Sequence, residues 1–483
     1  MSSFLERLKV PHVFTLLTVV IFICSLLTYI IPSGHYERES KNVGGHDRTV
    51  VVAGTYSHVD KAYSFKGATI GEEFGDKASP VSLIGFLRAI PKGMEDSGDI
   101  IFFIFMIGGV FGILQRTGVI SASIQLLLSV FRNNSALLTI ILMMVLAAGG
   151  STLGMGEEFI PLVPIFLIVA KEMGFDRIYG LALVWTSSNV GFAAATTNPF
   201  TVSIANNISE LPLNTGMTIR IIFFGVCMAV TIIYVLRYGA KIKADPGKSI
   251  MAGVADEQEA LEFHPVAFTN RHLWIVIMGL VVFSGIIYAV TELGWWMAEM
   301  GGGFFLIGIL AIVISGLSLS EAVKAFIKGM EEMVVAALVV GFARGIVVVL
   351  NEAQVLDTII FSAAQVLQTL PKSVAAIGMF VFQTTLNFFI PSGSGQAAVT
   401  MPLMAPLADI LGISRETAVF AFTCGDGFSN SLIPTSGVLM AMLSLAGIPY
   451  ERWLRFVVPL FLLMSGLSAL FLFLSVMIPG FWG

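Results

Sequence analysis

Four polar interruptions carry the chemistry of this sequence, and each lies inside an apolar run. Two are glycine- and serine-rich tips, "GGSTLGMGEE" (149–158) and "PSGSGQ" (391–396). Two are breaks within longer apolar stretches, "TSSNVGFAAATTNP" (186–199) and "CGDGFSNSLIPTSG" (424–437). Proline and glycine break helices, and non-helical backbone in hydrocarbon survives only where protein or a water-filled cavity surrounds it. Exposed carbonyls and hydroxyls suit a dehydrated Na⁺, while half-helix N-termini suit an anionic group such as a carboxylate. A single Gly/Ser patch often serves close helix packing instead. Four patches at matching places in the chain point to a binding site.

The residues that could hold a ligand follow from these places. The first tip offers Ser151, Thr152 and Gly154, and the second Ser392, Gly393, Ser394 and Gly395. The first broken span adds Ser188, Asn189, Thr197 and Asn198; the second adds Ser429, Asn430 and Thr435. Three acids sharpen the chemistry. Glu157 and Glu158 follow the first tip, and Asp426 lies in the second broken span. Ionisable groups at membrane depth are costly and usually functional. Carboxylates with no Lys or Arg nearby in sequence would attract a proton, Na⁺, or the amino or guanidinium group of a solute. The structural alternative is that a glutamate only caps the outgoing arm of its hairpin, favoured by the helix dipole. Arg344, inside a span, could meet one of these acids, a solute carboxylate or a backbone carbonyl. No nucleophile–base pair, metal-ligand cluster or nucleotide motif accompanies them. A non-enzyme without organic cofactor is expected, with Na⁺ or H⁺ as coupling ion and Na⁺ placed at the hairpin tips.

Membrane helices must position these residues. Of 483 residues 56% are hydrophobic and 12% charged, and the mean hydropathy is +0.88; soluble domains carry about 25% charge. The net charge of −5 offers no basic patch for nucleic acid. Cys24, Cys227 and Cys424 have no paired spacing. At roughly 20 apolar residues per span, spans are expected near 12–32, 99–117, 217–238, 272–292, 302–317, 332–350 and 452–477. Broken spans occupy 176–207 and 413–446, which makes about nine spans in all. The stretches 135–171 and 372–406 place a Gly/Ser tip between arms of about 14 residues. Such arms are too short to cross and suit re-entrant hairpins. Segments 80–96 and 317–331 are amphipathic and expected at the membrane surface.

The order of elements recurs. "KGMED" (92–96) returns as "KGMEE" 236 residues later, each just before an apolar span. Ser151 then pairs with Ser392, Gly154 with Gly395, "MGFDR" (173–177) with "LGISR" (411–415), and Thr197 with Thr435. A colinear series of this length predicts an internal duplication. Residues 1–238 and 293–483 are the expected repeats, joined by a cytoplasmic linker (239–271) and a linking span (272–292). Basic residues place the N-terminus in the cytoplasm and the C-terminus in the periplasm, and the odd linking span inverts the second copy. The expected fold is an all-α polytopic membrane protein of two inverted repeats, each with a re-entrant helical hairpin and a broken transmembrane helix.

The block "IPSGSGQAAVTMPLMAPLADILGISRETAVFAFTCGDGFSNSLIPTSGVLMAML" (390–443) resembles the YfcC-like members of the C4-dicarboxylate uptake C family, within the ion transporter superfamily. "PHVFTLL" (11–17) and "KGMED" extend the resemblance over nearly the whole chain. It implies a scaffold domain, a transport domain that slides against it in an elevator motion, and a homodimer in the bacterial inner membrane. Related sodium-coupled carriers show Ser-Asn-Thr at both tips. Here the tips read Ser151-Thr152-Leu153 and Ser392-Gly393-Ser394, so that motif is not reproduced. Some relatives are described as basic amino acid antiporters, and Glu157, Glu158 and Asp426 suit a cationic solute better than a dianion. The expected function is secondary active transport of a small amino-acid-like solute, a basic amino acid favoured, coupled to H⁺ or Na⁺ or by exchange. A C4-dicarboxylate carrier of the same fold is the alternative, and an ion channel the reading from a different class. The expected partners are the solute and membrane lipid.

Overall fold

The computed structural model describes residues 12–43, 46–132, 134–254 and 266–483. In hydrocarbon a helix satisfies its own backbone, so an apolar chain of this kind folds as helices. Among the described residues, seven helices are long and apolar enough to cross a membrane. The described residues begin with α1 (Val13–Leu27), followed by two small antiparallel ribbons. In these β1 (Ser33–His35) pairs with β4 (Ser57–Val59), and β2 (Arg38–Val43) with β3 (His46–Val51). The ribbons are an addition to the all-α expectation. The paired strands read "RESKNV" and "HDRTVV", and β3 buries Val50 and Val51 at its end.

The first set of helices is α2 (Leu83–Asp96), α3 (Gly98–Thr117), α4 (Val119–Val130), α5 (Ser135–Leu153), α6 (Val163–Glu172), α7 (Ser187–Ala193), α8 (Val202–Ile208) and α9 (Met217–Ala244). A 3₁₀ turn (Glu157–Leu162) leads into α6, and a π segment (Ala182–Thr186) leads into α7. Two helices intervene, α10 (Asn270–Glu292) and α11 (Met297–Ser315). The second set then repeats the order: α12 (Leu319–Glu332), α13 (Val334–Glu352), α14 (Leu356–Gln368), α15 (Lys372–Asn387), α16 (Gly393–Leu411), α17 (Arg415–Ser429), α18 (Gly437–Ala446) and α19 (Tyr450–Met477).

Matching extends to the backbone. Ser82 caps α2 by accepting the Gly85 N–H at 2.9 Å, and Ser318 caps α12 by accepting the Glu321 N–H at 3.3 Å. Gly118, between α3 and α4, is left-handed with φ +80°. Its counterpart between α13 and α14 is Gln354, with φ +54°. A residue with a side chain adopts that conformation rarely and at a cost, so the turn geometry, not the residue type, is what the two sets share.

The amphipathic helices pack reciprocally. Helix α2 lies on α13, and α12 lies on α3, each against a span of the other set. Contact is close enough that side chains are excluded. A Cβ on Gly93 would fall 2.4 Å from the Gly341 carbonyl oxygen, and one on Gly329 would fall 2.2 Å from that of Gly108. These are the glycines of "KGMED" and "KGMEE".

Three expected boundaries move. Arms α5 and α16 are 19 residues long and α15 is 16, against the expected 14. Helix α5 runs through "GGSTL" because small residues do not stop a helix that its neighbours pack against, and the chain reverses only at Gly154. A 19-residue helix reaches about 28 Å, close to the ~30 Å of a hydrocarbon core. The first expected span (12–32) shortens to α1, and Lys61 binds carbonyls of the turn that follows: its Nζ donates to Thr28 O and, at 2.5 Å, to Ile31 O. Part of the expected linker is fixed structure. Helix α9 continues to Ala244, and Tyr238 Oη and Ser249 Oγ both donate to Asp176 at 2.5 Å. Residues 255–265 of that linker lie outside the described residues.

Candidate functional site

Both tips and both breaks meet at one cavity of about 210 Å³. The first tip contributes Gly154 to Glu158, and the first broken span Trp185, Ser188, Asn189, Phe192 and Phe200. The second tip contributes Pro391 to Ser394, and the second broken span Asn430 and Ser436 to Val438. Ile100 of α3, Val340 of α13, and Trp296 and Met297 at the start of α11 complete the wall.

Local sequence explains each approach. At the first tip Gly154 has φ +67°, and a Cβ there would lie 2.3 Å from Asn198 Oδ1, so only glycine fits the reversal. Asn198 is fixed in turn by accepting the Phe200 N–H at 2.9 Å. Ser151 ties the tip to the first break, sharing a hydrogen bond with the Thr196 hydroxyl at 3.1 Å. Before the break, the π segment widens the helix, as such segments often do at functional sites. Thr186 and Ser188 return their hydroxyls to the carbonyls of Ala182 and Val184, at 2.5 and 2.8 Å. Trp185 therefore reaches the cavity with its Nε1 buried and without a partner.

The cavity is electrically lopsided. Its acidic groups come from the first tip: Glu157, and Glu158, which is buried and accepts the Gly156 N–H at 2.9 Å. Its partially positive groups come from the second set. Helix α16 starts at Gly393 behind its Ser392 cap, and α18 starts at Gly437 behind its Ser436 cap, with both first turns in the wall. First-turn N–H groups have no intrahelical acceptor and carry the positive end of the helix dipole. Aromatic faces of Trp185, Phe192, Phe200 and Trp296 line the same space, with Phe200 and Trp296 edge to face at 5.0 Å. Among the described residues of the wall there is no lysine, arginine or histidine. Such a chamber can hold a cationic group by carboxylates and ring faces and a carboxylate by helix N-termini.

Of the expected residues, Gly154, Glu157, Glu158, Ser188, Asn189, Ser392, Gly393, Ser394 and Asn430 line the cavity. The others stand behind it. Thr152 and Thr197 face away, their hydroxyls held by Ala148 O and Thr152 O. Gly395 is inside α16, its N–H directed to Ser392 Oγ at 3.4 Å. Ser429 is spent on Asn387 and Gly425, and Thr435 is fully buried. Asp426 is also fully buried and off the cavity wall. Arg344 does not reach the cavity either. Periodicity alone gave the aromatic residues no role beyond filling core or facing lipid, since a ring on an apolar helix looks the same in either place. Their concentration around the two breaks was the available signal.

A second reciprocal pair holds the broken spans. Arg177 Nη1 donates to Gly447 O at 3.1 Å, and Arg415 Nη1 donates to Ser209 O at 2.9 Å. Each arginine starts a broken span in one set and caps the end of the second half-span in the other. Arg415 also pairs with Asp409 at 2.7 Å and Glu210 at 3.0 Å. Arg415→Ala is expected to lower the melting temperature by about 1–2 °C, reflecting roughly 1–2 kcal/mol. Arg415→Lys should recover only part, because one ammonium cannot fork across three acceptors. Thermal unfolding of the detergent-solubilised protein measures both.

Apolar helices enclosing a polar, solute-sized chamber define a membrane transport protein of many spans. The chain belongs to the DcuC family, described as C4-dicarboxylate anaerobic carriers, whose sequence profile matches residues 10–477. It is 30% identical over 478 residues to a protein of Escherichia coli (strain K12) named "Putative basic amino acid antiporter YfcC", covering 93% of each chain. It is also 30% identical over 480 residues to an uncharacterized protein of Haemophilus influenzae, covering 93% and 94%. Two solved structures are similar in outline. One is the YdaH transporter of Alcanivorax borkumensis, with TM-score 0.48 and 15% identity over 98% of this chain and 100% of that one. The other is MtrF of Neisseria gonorrhoeae, with TM-score 0.45 and 17% identity over 97% of each.

Proposed function

We propose that the protein is a secondary active transporter of the bacterial inner membrane that carries a small amino-acid-like solute with a cationic side group. The observation that carries this reading is the polarity of the cavity. Glu157 and Glu158 supply negative charge at one tip, and the starts of α16 and α18 supply N–H donors at the other. A zwitterion with an extra positive charge, such as arginine or ornithine, satisfies both. A dicarboxylate would satisfy the donors but meet two carboxylates. The two helix N-termini nonetheless favour any solute with one carboxylate, which keeps the C4-dicarboxylate carrier as the second reading.

Movement follows from the two sets of helices. They are inverted repeats, with residues 1–238 and 293–483 as the copies and α10 as the linking span. The hairpins and broken spans form a transport domain that slides in an elevator motion against a scaffold braced by the glycine seams of α2 on α13 and α12 on α3. The cycle is driven by Na⁺ or H⁺, or by exchange of solutes. Two copies assemble as a dimer, with the N-terminus cytoplasmic and the C-terminus periplasmic. Proteoliposome uptake of radiolabelled arginine, ornithine and succinate tests the proposal. Saturable uptake of the basic amino acids, with little succinate, is expected. Uptake of succinate alone would discard the basic solute, and unitary conductance in a planar bilayer would discard the carrier.

A further inference from the structure

The ribbon of β2 and β3 touches helices on both sides of the proposed sliding boundary. Its root sits at the end of α13, in the proposed scaffold. Ser33 Oγ donates to Ala353 O at 2.6 Å, and the left-handed Gln354 offers its carbonyl to the Gly34 N–H at 2.9 Å. Asp357, buried in the first turn of α14, accepts the Tyr36 N–H at 2.9 Å. The same carboxylate pairs at 2.9 Å with Arg38, the first residue of β2. Tyr56 stacks on Phe361 with ring centroids 4.0 Å apart and shares a hydrogen bond with Thr358 at 3.0 Å. Beyond this root, β2 lies on α8 and β3 lies on α16. Those helices are the second half of the first broken span and the outgoing arm of the second hairpin, both in the proposed transport domain.

Neighbouring strand residues point to opposite faces, yet Val50 and Val51 of β3 are both buried. Val50 belongs to the apolar core that holds Ile204 and Ile208 of α8. Val51 belongs to another, which joins Tyr36, Val355 and Leu356 at the root to Leu403 of α16. A two-stranded hairpin is marginal alone in water, so β2 and β3 owe their order to the helices they cover. Contacts made in one position of a domain and lost in another bias its equilibrium toward the first. We propose that this ribbon is a strap. Anchored on the α13–α14 turn and laid over α8 and α16, it holds the transport domain in place and must lift before that domain slides. Residues 38–42 read "RESKN", all polar, so the lifted strand is compatible with water. The strap regulates the proposed transport cycle and rests on that reading for the motion it restrains.

The test replaces residues 39–50 of the full chain with a short glycine-rich turn. Arg38 and Val51 face each other in the register, so the turn closes on an existing strand pair and leaves the root in place. Spin labels go on Leu87→Cys of α2 and Ile410→Cys of α16, both exposed positions. Cys24, Cys227 and Cys424 are buried and escape labelling. The distance between the labels is read by pulsed electron resonance in lipid nanodiscs without solute. One narrow distance is expected with the ribbon intact. The shortened protein should add a second population, displaced by about 5 Å or more, one helical turn. Val50→Asp puts a charge into the buried contact and leaves the root untouched. It should give the same second population, which keeps the question answerable should the shortened protein not fold. A single unmoved distance in both variants, with arginine uptake by the parent intact, would overturn the strap and leave the transporter standing. A lower melting temperature without a displaced population would reduce the ribbon to a structural cover and also overturn it. A displaced population in a protein that takes up no arginine would uphold the strap and discard the solute.

Discussion

Gly329→Leu will damage the protein more than removal of any surface charge. The glycine's Cα sits where a Cβ would be 2.2 Å from the Gly108 carbonyl oxygen and 3.0 Å from Gly112 Cα, both backbone atoms. Flexible side chains could yield at such a point, but two helix backbones cannot without parting. Overpacking in a well-filled core costs about 1–3 kcal/mol, and a leucine here falls at or above the top of that range. The melting temperature is expected to fall by roughly 3 °C or more, with loss of the monodisperse peak in size-exclusion chromatography. Gly93→Leu should behave alike, its Cβ meeting the Gly341 carbonyl at 2.4 Å. Gly302→Ala is the control, since nothing lies within 4 Å of its Cβ. Alanine is the better helix former by about 1 kcal/mol. A Gly329→Leu protein as stable as wild type would mean that α12 and α3 are not in contact at this glycine.

The second large effect is on the solute. Glu158→Gln keeps an oxygen able to accept the Gly156 N–H, so the tip should fold, but it removes the charge that faces the cavity. Losing one partner of a buried charge pair costs about 3–5 kcal/mol, which is about two to three and a half decades in affinity. Uptake of arginine or ornithine at sub-saturating concentration should therefore fall by roughly 100-fold or more. Melting temperature should change by only a few degrees. Unchanged uptake would show that the cationic end of the solute binds elsewhere. Unchanged melting combined with lost uptake would separate a binding role from a cap on the 3₁₀ turn.

How much of this was legible before folding can be judged residue by residue. "KGMED" and "KGMEE" marked helices that hold the same place in the order of elements, α2 and α12, and the helices fall where the apolar runs lie. Helix α4, missing from the expected spans, is only 12 residues long and follows α3 after one left-handed glycine. The expected span 99–117 matches α3 and leaves α4 unassigned, because 12 residues fall short of a span. The hairpin arms were underestimated for a related reason: Gly149, Gly150 and Ser151 read as a tip, yet packing against α7 holds them in helix. Gly150 is needed there because a Cβ would fall 2.3 Å from Ser188 O. Small residues thus signal close approach without saying whether the chain also turns.

The sequence by itself determined that the chain spans a membrane, that it is built from two like sets of helices, and that polar groups gather at four breaks. Those properties depend on composition and order along one chain. Only the tertiary structure decided which polar groups share a space. It placed Glu157 and Glu158 beside the starts of α16 and α18, set Asp426 behind Gly393, and turned Thr152, Thr197 and Gly395 away. It also recruited Trp185, Phe192, Phe200 and Trp296, residues with no polar signature in sequence. The reason is geometric. Periodicity fixes the face of a helix on which a residue lies, but which neighbour that face meets is settled by glycine contacts far apart in the chain.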